Sequence, residues 1–172
     1  MATQVAVVGA GLIGRAWAIV FARAGLPVRL YDVDAAQLAN AGELIAASLQ
    51  DLHRAGLVDE EPAAILARIE CQPDLALAMV GVEYVQECGP ENVAVKQAMY
   101  TQLEAVVEAK TILASSTSGI VASRFTGHLT HPERCLVAHP VNPPYLIPLV
   151  EVAPSDTTST DTVERTMALM HQ

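Results

Sequence analysis

Two stretches of the sequence carry residue types whose spacing can do chemistry. Gly9, Gly11 and Gly14 stand as G-x-G-x-x-G between the β-branched run "VAVV" and a segment with Ile13, Trp17, Val20 and Phe21 at helical spacing. Between a strand and a helix this spacing has a mechanical meaning. The first glycine permits the tight turn, the second lets the backbone approach a pyrophosphate, and the third lets the helix pack close to the strand. The amides of Ala10, Leu12 and Ile13 at the helix start, aided by the helix dipole, then face the negative charge. Asp32 closes the second β-branched run, "PVRLYD", 18 residues after Gly14. A carboxylate there accepts hydrogen bonds from the ribose hydroxyls of an adenosine and repels a 2′-phosphate. Val33 follows it where an arginine could accommodate that phosphate, so the pattern reads as NAD rather than NADP.

The second stretch is "HPVNPPYLIPLVEV", from His139. His139 follows the apolar run "CLVA" and is therefore expected at the end of a strand, where ligands of open α/β sheets bind. Glu151 falls on the next expected strand, after a proline-rich link that returns the chain. A carboxylate on one ring nitrogen fixes the tautomer of a histidine, leaving the other nitrogen to take a proton from an alcohol. Ser118, in "SSTSG", is placed to hydrogen-bond the same hydroxyl. His53, His128, His131 and His171 lack such a setting and read as ordinary surface or core residues.

Short β-branched runs alternate with Ala-rich segments, which predicts an α/β fold of Rossmann type: a doubly wound, mostly parallel sheet with helices on both faces. Strands are expected at "QVAVVG", "PVRLYD", near Ile69, at "VEYVQEC", "TILASST", "CLVAHP" and "PLVEV". Helices are expected after the glycine loop, over 35–54, in short pieces around Ile69, and over "PENVAVKQAMYTQLEAVVEA". The last of these should bury Val95, Met99, Leu103 and Val106 or Val107. A helix capped by Ser or Thr begins in "TSTDTVERTMALMHQ". Residues 1–172 read as one such domain, with no internal repeat.

Bulk composition excludes several classes. A hydrophobic content of 52% over 172 residues suits a folded core. The formal charge of −9, with ten scattered Lys and Arg, disfavours nucleic acid as a partner. No apolar run is long enough for a bilayer, and nothing at the N-terminus resembles a signal peptide. Cys71, Cys88 and Cys135 are an odd set without CxxC spacing, which suits reduced thiols in the cytoplasm and no metal site.

Taken together, "GAGLIGRAWA", "QECGPENVAVK", "ASSTSG" and "VAHPVNPPYLIPLVEV" resemble the NAD-binding domain of the L-3-hydroxyacyl-CoA dehydrogenase family, over essentially the whole chain. Within that family the sequence resembles the lambda-crystallin branch, which implies an L-gulonate 3-dehydrogenase activity. The resemblance implies NAD as cofactor, His139 as catalytic base, Glu151 as its charged partner and Ser118 as a substrate and cofactor contact. It also implies that Asn142 lies near the nicotinamide ribose and that Glu91 and Lys96 complete the NAD site. In the family a helical C-terminal domain follows, forms the homodimer, closes over the substrate and contributes a catalytic Asn; it is not among these 172 residues. The acyl-CoA enzymes carry a lysine-rich helical arm after the second strand, whereas "AAQLANAGELIAASLQDLHRAG" has no lysine and one arginine, Arg54. That favours a small free hydroxy acid over a thioester. A non-catalytic NAD-binding module is the competing reading. A decarboxylating dehydrogenase of the 6-phosphogluconate type shares the glycine loop but does not suit "HPVNPP".

Overall fold

A computed structural model describes residues 3–172. Its strands are β1 (Val5–Val8), β2 (Val28–Tyr31), β3 (Ile69–Cys71), β4 (Tyr84–Glu87), β5 (Ile112–Ser115), β6 (Cys135–Pro140) and β7 (Val150–Pro154). They form one seven-stranded sheet in the order β3-β2-β1-β4-β5-β6-β7. The pairings from β3 through β6 are parallel, and β7 runs antiparallel to β6. Parallel strands need crossover helices, which cover both faces of the sheet. The helices are α1 (Leu12–Arg23), α2 (Ala35–Arg54), α3 (Pro62–Leu66), α4 (Leu75–Ala78), α5 (Val93–Val106), α6 (Ser123–Thr126) and α7 (Thr160–Met170).

Strand alternation divides the core. On β1, Val5 and Val7 pack with Trp17, Phe21, Ile45 and Leu49 of α1 and α2, while Ala6 and Val8 face Tyr100, Leu103 and Phe125 of α5 and α6. Trp17 and Phe21, one helical turn apart, stack with ring centroids 5.0 Å apart. Full burial of a side chain such as Ile45 contributes about 2 kcal/mol. Because β1 has β2 on one side and β4 on the other, the connections leave it in opposite directions and open a crevice at the strand ends. The glycine loop follows β1 directly and so lies in that crevice.

The helix over 35–54 and the seven expected strands are present. On α5 the expected Leu103 is buried and Met99, Val106 and Val107 pack half-buried against the core, whereas Val95 departs from the expectation. Val95 is 43% exposed, and the helix buries Lys96, Tyr100 and Leu103. Val95 lies outside the buried face, and its neighbour Lys96 turns inward to pair with Glu87. Helix α6 and a 3-10 turn at Pro132–Arg134 were not expected from the sequence, being too short to show a period. No described helix is long and apolar enough to cross a membrane, and no His/Cys/Asp/Glu cluster suited to a metal occurs among the described residues.

Candidate functional site

The glycine loop is shaped by contacts that allow no side chain at two of its three positions. Gly9 has φ of +106°, and a Cβ there would meet the Cys88 carbonyl oxygen at 2.8 Å. A Cβ on Gly14 would lie 1.7 Å from the Gly9 carbonyl oxygen. Gly11 faces open space, with nothing within 4 Å of its would-be Cβ. It is the N-cap of α1 and offers no side-chain cap, and the first turn holds no acidic residue. By contrast α2, α4, α5 and α7 are capped by Asp34, Asp74, Asn92 and Ser159. The first amides of α1 are thus left for an external acceptor, and the missing side chain at Gly11 lets it approach. These residues fit a dinucleotide pyrophosphate.

Asp32 stands one residue beyond β2 and braces the loop. One carboxylate oxygen accepts from the Ala10 amide at 2.6 Å and the other from the Asp34 amide at 2.8 Å. Each oxygen keeps a further lone pair for a ribose hydroxyl. Arg15 donates to the Ala10 carbonyl at 2.7 Å and fixes the loop from the helix side. Leu12 is exposed at the mouth of the loop, and Ile13 reaches the adjoining pocket.

That pocket, about 280 Å³, is lined by Ile13, Cys88, Gly89, Glu91, Ser116, Ser118, His139, Pro140 and Asn142. His139 and Glu151 are directly opposed partners across β6 and β7, so their side chains leave the same face of the sheet. His139 Nδ1 lies 2.8 Å from a Glu151 carboxylate oxygen. A carboxylate only accepts, so Nδ1 carries the proton and Nε2 is the basic nitrogen. The His139 side chain is 29% exposed and that of Glu151 70%, which leaves the ring partly accessible from the pocket.

Glu91 ties two pocket walls together, accepting from the Thr117 hydroxyl at 2.5 Å and the Gly119 amide at 3.0 Å. Burial raises its pKa, but the Thr117 hydroxyl, the Gly119 amide and the nearby Lys96 outweigh it and hold the carboxyl below its ordinary value. Lys96, which the resemblance sets at the cofactor site, lies behind the pocket wall close enough to act on Glu91. Its side chain is 1% exposed, with the ammonium 2.9 and 2.8 Å from the two Glu87 carboxylate oxygens. It supports the pocket from beneath and does not line it. Glu87 in turn accepts from the Gly89 amide at 2.6 Å and from the Ser115 hydroxyl at 2.5 Å, which anchors the β4–α5 loop.

Four lining residues escaped the sequence reading: Cys88, Gly89, Ser116 and Pro140. The available signal was Gln86, a polar residue inside an apolar strand. It is fully buried and bonds Tyr84, Ser116 and the Ala138 carbonyl. Burial pushes the Cys88 thiol up to about 12, despite its Ser116 contact.

Residues 4–172 match the family model described as 3-hydroxyacyl-CoA dehydrogenase, NAD binding domain. Lambda-crystallin of Oryctolagus cuniculus is 42% identical over 173 residues, covering 99% of this chain and 54% of its own length. L-carnitine dehydrogenase of Burkholderia mallei (strain ATCC 23344) is 36% identical over 168 residues, covering 95% of this chain and 50% of its own length. The crystal structure of 3-hydroxybutyryl-CoA dehydrogenase from Escherichia coli K12 superposes with a TM-score of 0.93 at 31% identity, covering 99% of this chain and 36% of that one. The chain thus spans about half the length of the curated relatives it matches.

Proposed function

The chain belongs to the 3-hydroxyacyl-CoA dehydrogenase family, and from that premise we propose that it oxidises the C3 hydroxyl of an L-3-hydroxy acid, or of its CoA thioester, to the 3-oxo product with NAD. The observation that carries this reading is the His139–Glu151 pair at 2.8 Å opening into the same small pocket as Ser118, Asn142 and Ile13. His139 Nε2 accepts the hydroxyl proton, and Glu151 stabilises the imidazolium that results. Ser118 hydrogen-bonds the reacting oxygen, and Asn142 with Glu91 orients the ligand against the wall. The glycine loop holds the pyrophosphate and Asp32 the adenosine ribose. NAD supplies the acceptor for the C3 hydride when bound.

Helix α2 has Arg54 as its one arginine and no lysine, which supports a free hydroxy acid over the thioester. L-gulonate, as in the lambda-crystallin branch, is the leading candidate of that kind.

The test offers the chain NAD with L-gulonate, L-3-hydroxybutyrate and L-3-hydroxybutyryl-CoA and follows NADH formation. Turnover that disappears in His139→Ala, with NADH affinity unchanged, is the expected result. Equal loss of both overturns the base assignment, and NADH binding without turnover on any substrate means either that the family's C-terminal domain is required or that the chain only binds the dinucleotide.

A further inference from the structure

The Ser116 hydroxyl lies on the wall of the pocket that also holds His139, and its neighbours dictate where its proton points. The Ala138 carbonyl can only accept, and it lies 3.0 Å from the Gln86 amide, so the nitrogen of that amide must face it. Tyr84 then donates to the Gln86 oxygen at 2.7 Å. The remaining N–H of Gln86 points at Ser116 Oγ, 2.7 Å away. The Trp17 indole N–H, a donor only, reaches the same oxygen at 3.1 Å. Two donors fill both lone pairs of a hydroxyl, so Ser116 must donate its own proton. Among the described residues the remaining partner is Cys88 Sγ at 3.2 Å, a protonated sulfur and a weak acceptor. The thiol in turn points to the Gln86 carbonyl at 3.8 Å, so the chain of donors has one direction.

We propose that Ser116 is a fixed hydrogen-bond donor of this pocket, recognising a carbonyl-type oxygen of the ligand that fills it: the nicotinamide carboxamide or the oxo group of a 3-oxo acid. The inference rests on reading the pocket as the nicotinamide and substrate site. A ligand oxygen is a better acceptor than the Cys88 sulfur, so the proton turns from sulfur to ligand without disturbing Trp17 or Gln86. A ligand N–H placed there meets no acceptor, which makes the wall selective for an acceptor oxygen.

Trp17 is the single tryptophan of the chain and bonds the residue in question, so it reports on the site directly. NADH is titrated into the wild type, Ser116→Ala and Ser116→Thr by energy transfer from Trp17, and acetoacetate is then titrated into each NADH complex. Ser116→Ala is expected to weaken one of the two titrations about tenfold, and Ser116→Thr, which keeps the donor, to restore it. A loss in the first titration identifies the carboxamide, and a loss confined to the second identifies the oxo acid. Both titrations within twofold of wild type in Ser116→Ala, or an equal loss in Ser116→Thr, overturns the proposal. Should Ser116→Ala fail to fold, Cys88→Ser decides. Its oxygen competes for the Ser116 proton and is expected to weaken the same titration severalfold, and no change overturns the proposal. A wild-type chain that binds no NADH overturns the reading of the pocket as well, and its own titration separates that failure from loss of the donor.

Discussion

Substituting Gly14 by alanine places a methyl carbon 1.7 Å from the Gly9 carbonyl oxygen and 2.8 Å from the carbonyl carbon. Both atoms belong to backbone, so no rotamer can relieve the overlap. To reach an ordinary contact of about 3.5 Å the loop and α1 must part by more than an ångström. Core overpacking of this kind costs about 3 kcal/mol when the neighbours cannot rotate away. The same movement displaces the α1 amides from the acceptor they serve, so stability and NADH affinity are lost together. Gly11→Ala is the matched control, because its methyl meets nothing within 4 Å. It should melt within a degree or two of wild type, yet weaken NADH at least tenfold by intruding where the pyrophosphate must approach. Thermal melts and NADH titrations of both variants read the two effects separately. A Gly14→Ala chain with wild-type melting and affinity, or a Gly11→Ala chain with undiminished affinity, would refute the reasoning.

Two further expectations follow from the titrating groups. Burial raises the Glu104 pKa, but the Thr130 and His131 amides and Arg134 outweigh it and hold it below the ordinary carboxylate value. A depressed folded pKa contributes stability that is present above the unfolded value, about 4.3, and is lost as pH falls through the lower folded one. Glu104→Gln should therefore melt lower than wild type at pH 7, by about 1 kcal/mol of stability, with the gap narrowing as pH falls below the unfolded value; a gap that stays constant into acid would contradict the assignment. Burial pushes the Cys88 and Cys135 thiols up to about 12 and raises the exposed Cys71 thiol less. A thiol reagent at mild alkaline pH should titrate one fast cysteine, abolished by Cys71→Ser, and two or three fast thiols in the native chain would contradict the burial.

The fold was legible because alternation of strands and helices is written in local patterns. The glycine spacing and the serine cap of α7 each act through neighbours in sequence. The His139–Glu151 pair was legible because a proline-rich return between two short strands sets a cross-strand partner. The burial of Lys96 was not legible, since its partner Glu87 sits on β4 and only the packed fold shows that a lysine beside Val95 turns inward. The Ser116 wall is hidden for the same reason. It joins Trp17 of α1, Gln86 and Cys88 near β4, and the Ala138 carbonyl of β6, contacts spread over more than a hundred residues of chain. The sequence pointed to Ser118, and only the packed strands show that the Trp17 and Gln86 donors converge on Ser116.

The most direct test of the account is a parallel calorimetric titration of NADH and NADPH into the wild-type chain. The Asp32 carboxylate, fixed by the Ala10 and Asp34 amides, predicts that NADH binds and that NADPH binds more weakly by a factor on the order of ten or more. Equal affinity for the two, or no binding of either, would contradict the central claim that the glycine loop and Asp32 form an NAD site.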